Sequence, residues 1–171
     1  MSALIYLIGY PGSGKTTAMA QAMGVIDRVE LQPFAHTVYA DGLIQLGRAR
    51  DVYGGTDTLS LSVQPRVIDW IGESVADVIV GEGDRLANSK FFTAVEALGR
   101  DVRIVYLKCP EVIARRRAWE RGSRFNESWL KGRITKVDRL VEEWKHRMVA
   151  LDSTEPEIAI RQLKDIVQTE R

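Results

Sequence analysis

Two rhythms of apolar residues alternate along the chain. Short apolar runs at residues 3–8, 37–40, 77–81, 102–107 and 149–151 read as buried strands. Between them lie stretches with helical spacing. Residues 17–23 carry Ala18, Met19, Ala22 and Met23. Pro65 suits the first turn of a helix whose apolar face is Val67, Ile68, Ile71 and Val75. Ser89 reads as the cap of a helix bearing Phe92, Val95 and Leu98. Residues 110–119 form a further helix that Gly122 breaks. Leu130, Ile134, Val137, Leu140 or Val141, Trp144 and Met148 follow a three-to-four spacing, which predicts a long amphipathic helix. Residues 155–167 close the chain as a helix. Strands alternating with helices predict an α/β domain over 1–171, three layers α/β/α, with a five-stranded parallel sheet.

The loop between the first strand and first helix carries the strongest chemical signal. Gly9-Tyr10-Pro11-Gly12-Ser13-Gly14-Lys15-Thr16 is a complete G-x-x-x-x-G-K-[ST] phosphate-binding loop, and Thr17 continues it into the helix. The glycines let the backbone approach an anion closely. The loop amides and the helix N-terminus then present N–H donors to phosphates. Lys15 supplies a point charge for the β- and γ-phosphates, and the Thr16 hydroxyl is a ligand for Mg²⁺. The motif predicts nucleotide binding.

Composition narrows the setting. The 171 residues are 45% hydrophobic and 27% charged, as in an ordinary globular protein. No apolar stretch is long enough to span a membrane, and the N-terminal run lacks the basic segment of a secretory signal. The single cysteine, Cys109, cannot form an internal disulfide, which suits a reducing cytoplasm. The net charge of +1 hides an asymmetry. Residues 115–136 hold eight Lys or Arg against two acidic residues, so this segment sums to +6 and the remainder to −5. A basic segment on a nearly neutral chain implies a local anionic partner.

Phosphoryl transfer needs metal coordination, charge neutralisation and alignment of an acceptor. The strand at 77–81 empties into Glu82-Gly83-Asp84-Arg85, like a Walker-B segment, so Glu82 or Asp84 is a candidate for Mg²⁺ and Arg85 for phosphate charge. Asp41 follows the second strand and could orient or deprotonate an acceptor hydroxyl; an Asp-Gly turn explains it equally well. The polar loop 46–62 is long and Gly-rich. There Arg48 and Arg50 are candidates for acceptor phosphate, Tyr53 for stacking on a base, and Thr56 and Asp57 for hydrogen bonds to it. Arg117, Arg121 and Arg124 would line one side of a helix that persisted past Gly122; the glycine suggests instead a mobile arginine-bearing lid over 115–130. Lys131, Arg133 and Lys136 extend that basic stretch as a track for nucleic-acid phosphate.

In their order these parts resemble the nucleotide-kinase branch of the P-loop proteins. That resemblance implies a P-loop kinase fold with ATP and Mg²⁺ as cosubstrates. It gives Lys15, Asp41, Arg121 and Arg124 catalytic roles and puts Arg117 with the phosphate loop at the nucleotide. Leu46-Gly47-Arg48-Ala49-Arg50-Asp51, Gly55-Thr56-Asp57-Thr58-Leu59-Ser60 and Gly83-Asp84-Arg85-Leu86 resemble phage-encoded kinases of 5-hydroxymethyluracil in DNA. This narrower likeness implies a hydroxymethylated base in DNA as acceptor, reached by flipping or in a single strand, in a host cytoplasm. The same machinery serves a free nucleoside or nucleotide acceptor. Asp51-Val52-Tyr53-Gly54 and Thr135-Lys136-Val137-Asp138 spell fragments of a GTPase switch, but the second falls inside the strongest helical repeat. A non-catalytic ATP-binding module is the remaining alternative.

Overall fold

The computed structural model describes residues 2–171. A seven-stranded sheet runs through it in the order β2-β3-β4-β5-β1-β6-β7. The strands are β1 (Ala3–Ile8), β2 (Ile26–Glu30), β3 (His36–Tyr39), β4 (Ile44–Leu46), β5 (Val78–Glu82), β6 (Asp101–Lys108) and β7 (Met148–Asp152). Six helices flank them: α1 (Lys15–Ala22), α2 (Gln64–Glu73), α3 (Ser89–Ala97), α4 (Glu111–Glu120), α5 (Glu127–Trp144) and α6 (Pro156–Thr169). Among the described residues no helix is long and apolar enough to cross a membrane.

All five strands expected from apolar runs are present, and two more join them. The sheet is therefore seven-stranded and mixed, not five-stranded and parallel. β2 escapes a pattern search because its side chains are mostly exposed on a sheet edge. β4 has only three residues. Both pair antiparallel with β3, while β4, β5, β1, β6 and β7 run parallel.

The central strand β1 is buried on both faces, and its alternation divides the core. Leu4, Tyr6 and Ile8 face a layer that includes Val67, Ile71, Phe91, Phe92, Leu140 and Trp144 of α2, α3 and α5. Ile5 and Leu7 face Ala18, Met19 and Ala22 of α1 and Ala159, Leu163 and Val167 of α6. Aromatic edges knit the first layer: Phe92 meets Tyr6 at 5.2 Å and Trp144 at 5.4 Å between ring centroids. The α3 cap is Asn88 and not Ser89; its side chain accepts from the Phe91 amide at 2.9 Å. Ser89 instead accepts from Trp144 Nε1 at 2.9 Å, tying α3 to the end of α5. Buried Arg100 closes the α2–β5 connection, donating to the Ser74 carbonyl at 2.6 Å and the Ala76 carbonyl at 2.8 Å.

Phe92 is fully buried at the junction of β1, α3 and α5. Phe92→Ala is expected to cost about 3–5 kcal/mol through lost burial and a residual cavity. Denaturant unfolding checks this; a midpoint unchanged from the parent chain would contradict the packing described.

Candidate functional site

The phosphate-binding loop leaves β1 at the C-terminal edge of the parallel strands, where open α/β sheets collect ligands. Gly12 sits there at φ +85°, and a Cβ on it would lie 2.1 Å from the Ala114 carbonyl oxygen. The loop thus rests directly on α4, whose Ala114 and Ala118 are small enough to allow it. Lys15 Nζ folds back and donates to the carbonyls of Gly9 at 2.9 Å and Tyr10 at 3.1 Å. Tyr10 is pinned from outside, its hydroxyl donating to Asp138 at 2.6 Å. Ser13 is buried, and its hydroxyl has no protein partner among the described residues.

The β1–β5 register sets Glu82 beside Leu7, one residue before the loop's approach. Glu82 is 1% exposed and accepts from Thr16 Oγ1 at 3.1 Å. Burial pushes its carboxyl up to about 7, aided by Asp57 and opposed by Lys15 and the Thr16 hydroxyl. Burial likewise lowers the Lys15 ammonium from its ordinary value, with Glu82, Asp57 and Asp84 acting against the shift. Asp84 is differently engaged: it forms ion pairs with Arg133 and, at 3.0 Å, with Lys136.

The 46–60 loop packs against this acidic turn. Gly55 lies so close that a Cβ would sit 2.3 Å from Glu82 Oε1, at a φ of +67°. Thr56 is buried; its hydroxyl donates to the Glu82 carbonyl at 2.9 Å and stands 2.9 Å from the Tyr6 hydroxyl, which donates to the Gly83 carbonyl. The Thr56 hydroxyl is thereby engaged by the turn, and Thr56 does not line the cleft described below. Asp57 Oδ1 accepts from the amides of Asp84 at 2.9 Å and Arg85 at 3.1 Å.

These elements enclose a cleft of about 360 Å³ lined by the phosphate loop, Tyr53, Asp57, Glu82, Asp84, Arg85, Arg121, Phe125, Trp129 and Arg133. Arg85 Nε is buried without a hydrogen-bond partner among the described residues. Tyr53 adopts a positive φ of 53°, rare for a bulky residue. Its hydroxyl meets Ser123 Oγ at 2.6 Å, and the Arg121 guanidinium lies 5.1 Å over its ring. Phe125 and Trp129 stack at 4.8 Å, with Arg133 5.2 Å over Trp129. This aromatic pair was missed in the sequence. Its signal was there: Phe125, Trp129 and Arg133 recur every four residues, off the core stripe that starts at Leu130.

Several expected site residues lie elsewhere. Asp41 stands in the β3–β4 turn, ion-paired with Arg171 at 2.6 Å and accepting from the Leu43 amide. β3 runs against the parallel strands, so its end falls at the edge opposite the phosphate loop. A parallel strand, as the sequence suggested, would have brought it to the cleft. Arg48 and Arg50 do not line the cleft either; the Arg48 carbonyl accepts from the Gly55 amide and shapes the loop. The three lid arginines part company, because α4 stops at Glu120 and residues 121–126 turn into α5. Arg117 reaches under the phosphate loop to the Ser153 carbonyl at 2.9 Å. There it lines a second cavity of about 190 Å³ with Ser13, Thr17, Leu107 and Ile160. Arg121 enters the main cleft. Arg124 is held by the carbonyls of Trp119 and Ser123, 3.5 Å over the Trp119 ring.

The residues fit a magnesium-bound nucleotide. Loop amides, Lys15 and the partnerless Ser13 hydroxyl offer donors to an anion, while Thr16 and Glu82 supply two adjacent oxygen ligands. Among the described residues no group of three or more His, Cys, Asp or Glu forms a metal cage. Mg²⁺ suits such a site, since it keeps waters and borrows phosphate oxygens.

The raised Glu82 carboxyl has a consequence for stability. Its ordinary value is 4.5 and its folded value about 7, so the folded chain holds this proton more tightly than the unfolded one. The stabilisation is complete below about 4.5 and is lost as pH rises through about 7, by at most about 3 kcal/mol. Without nucleotide, the parent chain should lose melting temperature between pH 5 and 8 more steeply than Glu82→Gln. Parallel slopes in the two proteins would show that Glu82 is not protonated in this window.

Solved structures that share the fold include two kinases. A deoxyadenosine kinase from M. mycoides, with dCMP as product and a flexible dCDP bound, gives a TM-score of 0.51 at 11% identity, over 98% of this chain and 100% of that one. An unliganded sugar kinase from Janibacter sp. gives 0.56 at 16% identity, over 99% and 98%. No curated protein matches the sequence. The sequence matches the P-loop Nucleotide Kinase3 family over residues 1–160, and the chain, a kinase phosphotransferase, belongs to that family.

Proposed function

We propose that the protein transfers the γ-phosphoryl group of ATP to the 5-hydroxymethyl group of hydroxymethyluracil in DNA. The observation that carries this reading is the cleft itself. It brings phosphate-binding groups and a stacked aromatic pair, Phe125 and Trp129, into one lining. An aromatic pair suits the flat face of a base. Arg85 and Arg121 line the cleft without a carboxylate partner among the described residues, leaving charge for phosphates. The basic 115–136 segment borders the same opening. Cys109, buried and free, suits the reducing cytoplasm where such an enzyme would meet ATP.

In this reading the loop amides and Lys15 hold the β- and γ-phosphates, and Arg117 lies at the nucleoside end. Thr16 and Glu82 hold Mg²⁺, which when bound neutralises phosphate charge. Arg121 adds charge where it develops during transfer. Tyr53, Phe125 and Trp129 flank the acceptor base. Asp57 takes the role the sequence gave to Asp41. Its Oδ1 is occupied by two backbone amides, which leaves Oδ2 to orient the acceptor hydroxyl and receive its proton.

A free nucleoside or nucleoside monophosphate is the rival acceptor. The cleft volume of about 360 Å³ favours it, since that is the size of a small-molecule site.

Labelled γ-phosphate with Mg²⁺ separates the two. Acceptors are DNA containing 5-hydroxymethyluracil, matched unmodified DNA, and free nucleosides and nucleotides. Label is expected on the modified DNA alone; label on a free nucleotide would replace the polymer by a metabolite as substrate. Asp57→Asn keeps an oxygen for the two amides and should lower kcat by about 10²–10⁴-fold with little change in ATP binding. Asp41→Asn, at the opposite sheet edge, should leave kcat unchanged. The reverse ranking of these two variants would return Asp41 to the mechanism.

A further inference from the structure

The cleft is not the only place where an arginine lies over an aromatic ring. Trp119 is 64% exposed at the end of α4, just outside the cleft lining, and Arg124 covers one face of its ring at 3.5 Å. Two carbonyls fix the Arg124 guanidinium, and it has no carboxylate partner among the described residues. Its charge is therefore positioned but not neutralised. By contrast Arg115, on α4, is neutralised by Glu111 and Glu127. Tyr53, 56% exposed, stands at the mouth under Arg121. Tyr53–Arg121, Trp119–Arg124 and Trp129–Arg133 thus form three aromatic–guanidinium pairs around one short turn, the first and last in the cleft and the middle one outside it.

Flat aromatic faces beside fixed cations are what binds unstacked bases and their phosphates without regard to sequence. A duplex keeps its bases stacked on one another and offers no free face. We propose that the Trp119–Arg124 pair is a docking site for a nucleotide flanking the acceptor, so that the protein binds single-stranded nucleic acid across the outer face of the 121–126 turn. The proposal deepens the reading of a polymer acceptor and rests on it. It names the strand state of that polymer and a contact beyond the reacting base.

The test is fluorescence anisotropy with the full chain and an unmodified single-stranded oligonucleotide of about ten nucleotides, the span of an ordinary single-strand site. The same sequence as a duplex is the comparison. Single strand is expected to bind more tightly than duplex, and more weakly as salt rises. Trp119→Ala should weaken single-strand binding about tenfold, by loss of one stacked base, and Trp119→Phe should retain most of it. Unchanged melting temperatures establish that these exposed substitutions leave the fold intact. Equal binding by the parent chain and Trp119→Ala, or tighter binding of duplex, would overturn the proposal. The oligonucleotide carries no hydroxymethyl group and no ATP is present. Loss of the Trp119 effect therefore sinks this site whatever the transfer assay gives. Label on a free nucleotide alone sinks the DNA reading whatever the anisotropy gives.

Discussion

The register between β1 and β5 is the constraint on which the site depends. Leu7 pairs with Glu82, so the strand that feeds the phosphate loop and the strand that delivers the buried carboxylate end level with each other. That alignment brings Thr16 Oγ1 to 3.1 Å from Glu82. A slip of one residue would turn Glu82 to the other face of the sheet. The register is held by core packing on both sides of β1, not by the polar groups it positions. Glu82 itself is unfavourably buried, and the stability it costs is offset by the apolar strands around it.

The second support comes from the 46–60 loop. Gly55 allows the loop to touch Glu82, Thr56 and Tyr6 bind the turn after it, and Asp57 gathers the next two amides. The sequence assigned Thr56 and Asp57 to a substrate. Both bind the acidic turn after β5, Thr56 through its hydroxyl and Asp57 through Oδ1, and Asp57 also lines the cleft. Tyr53, a few residues earlier, extends the same loop to Ser123 and Arg121, so one segment joins the acidic turn to the 121–126 turn.

What the sequence made legible follows from the range of the interactions involved. The phosphate loop is a local motif whose strand, turn and helix are contiguous, and it was read completely. β1, β3 and β5 were read because burial on two faces leaves a continuous run, and the part-exposed β6 and β7 because their residues are still largely apolar. Strand direction is not local. Asp41 was misplaced because nothing in residues 37–41 says that β3 runs against its neighbours, and because the exposed β2 and three-residue β4 that would have revealed a meander carry little apolar signal. The break near Gly122 was legible in the sequence; where each lid arginine goes after it was not, because that depends on distant partners. The early end of α4 sends Arg117, Arg121 and Arg124 to three different surroundings.

Pairing separates structural cations from available ones. Arg133 and Lys136 are committed to Asp84, Arg115 to Glu111 and Glu127, and Arg147 to Glu96 and Asp101. Arg85 and Arg121 have no such partner among the described residues, yet both line the cleft. A guanidinium does not shed its charge, and Arg85 Nε is buried without an acceptor, a position that costs stability until an anion fills it. On the proposed reading Lys15 and the loop amides serve the phosphates of one nucleotide. Arg121, whose charge acts on Lys15, serves the transferred phosphoryl group in that reading, and the unpaired Arg85 is better matched to an acceptor that brings phosphate of its own than to an uncharged nucleoside.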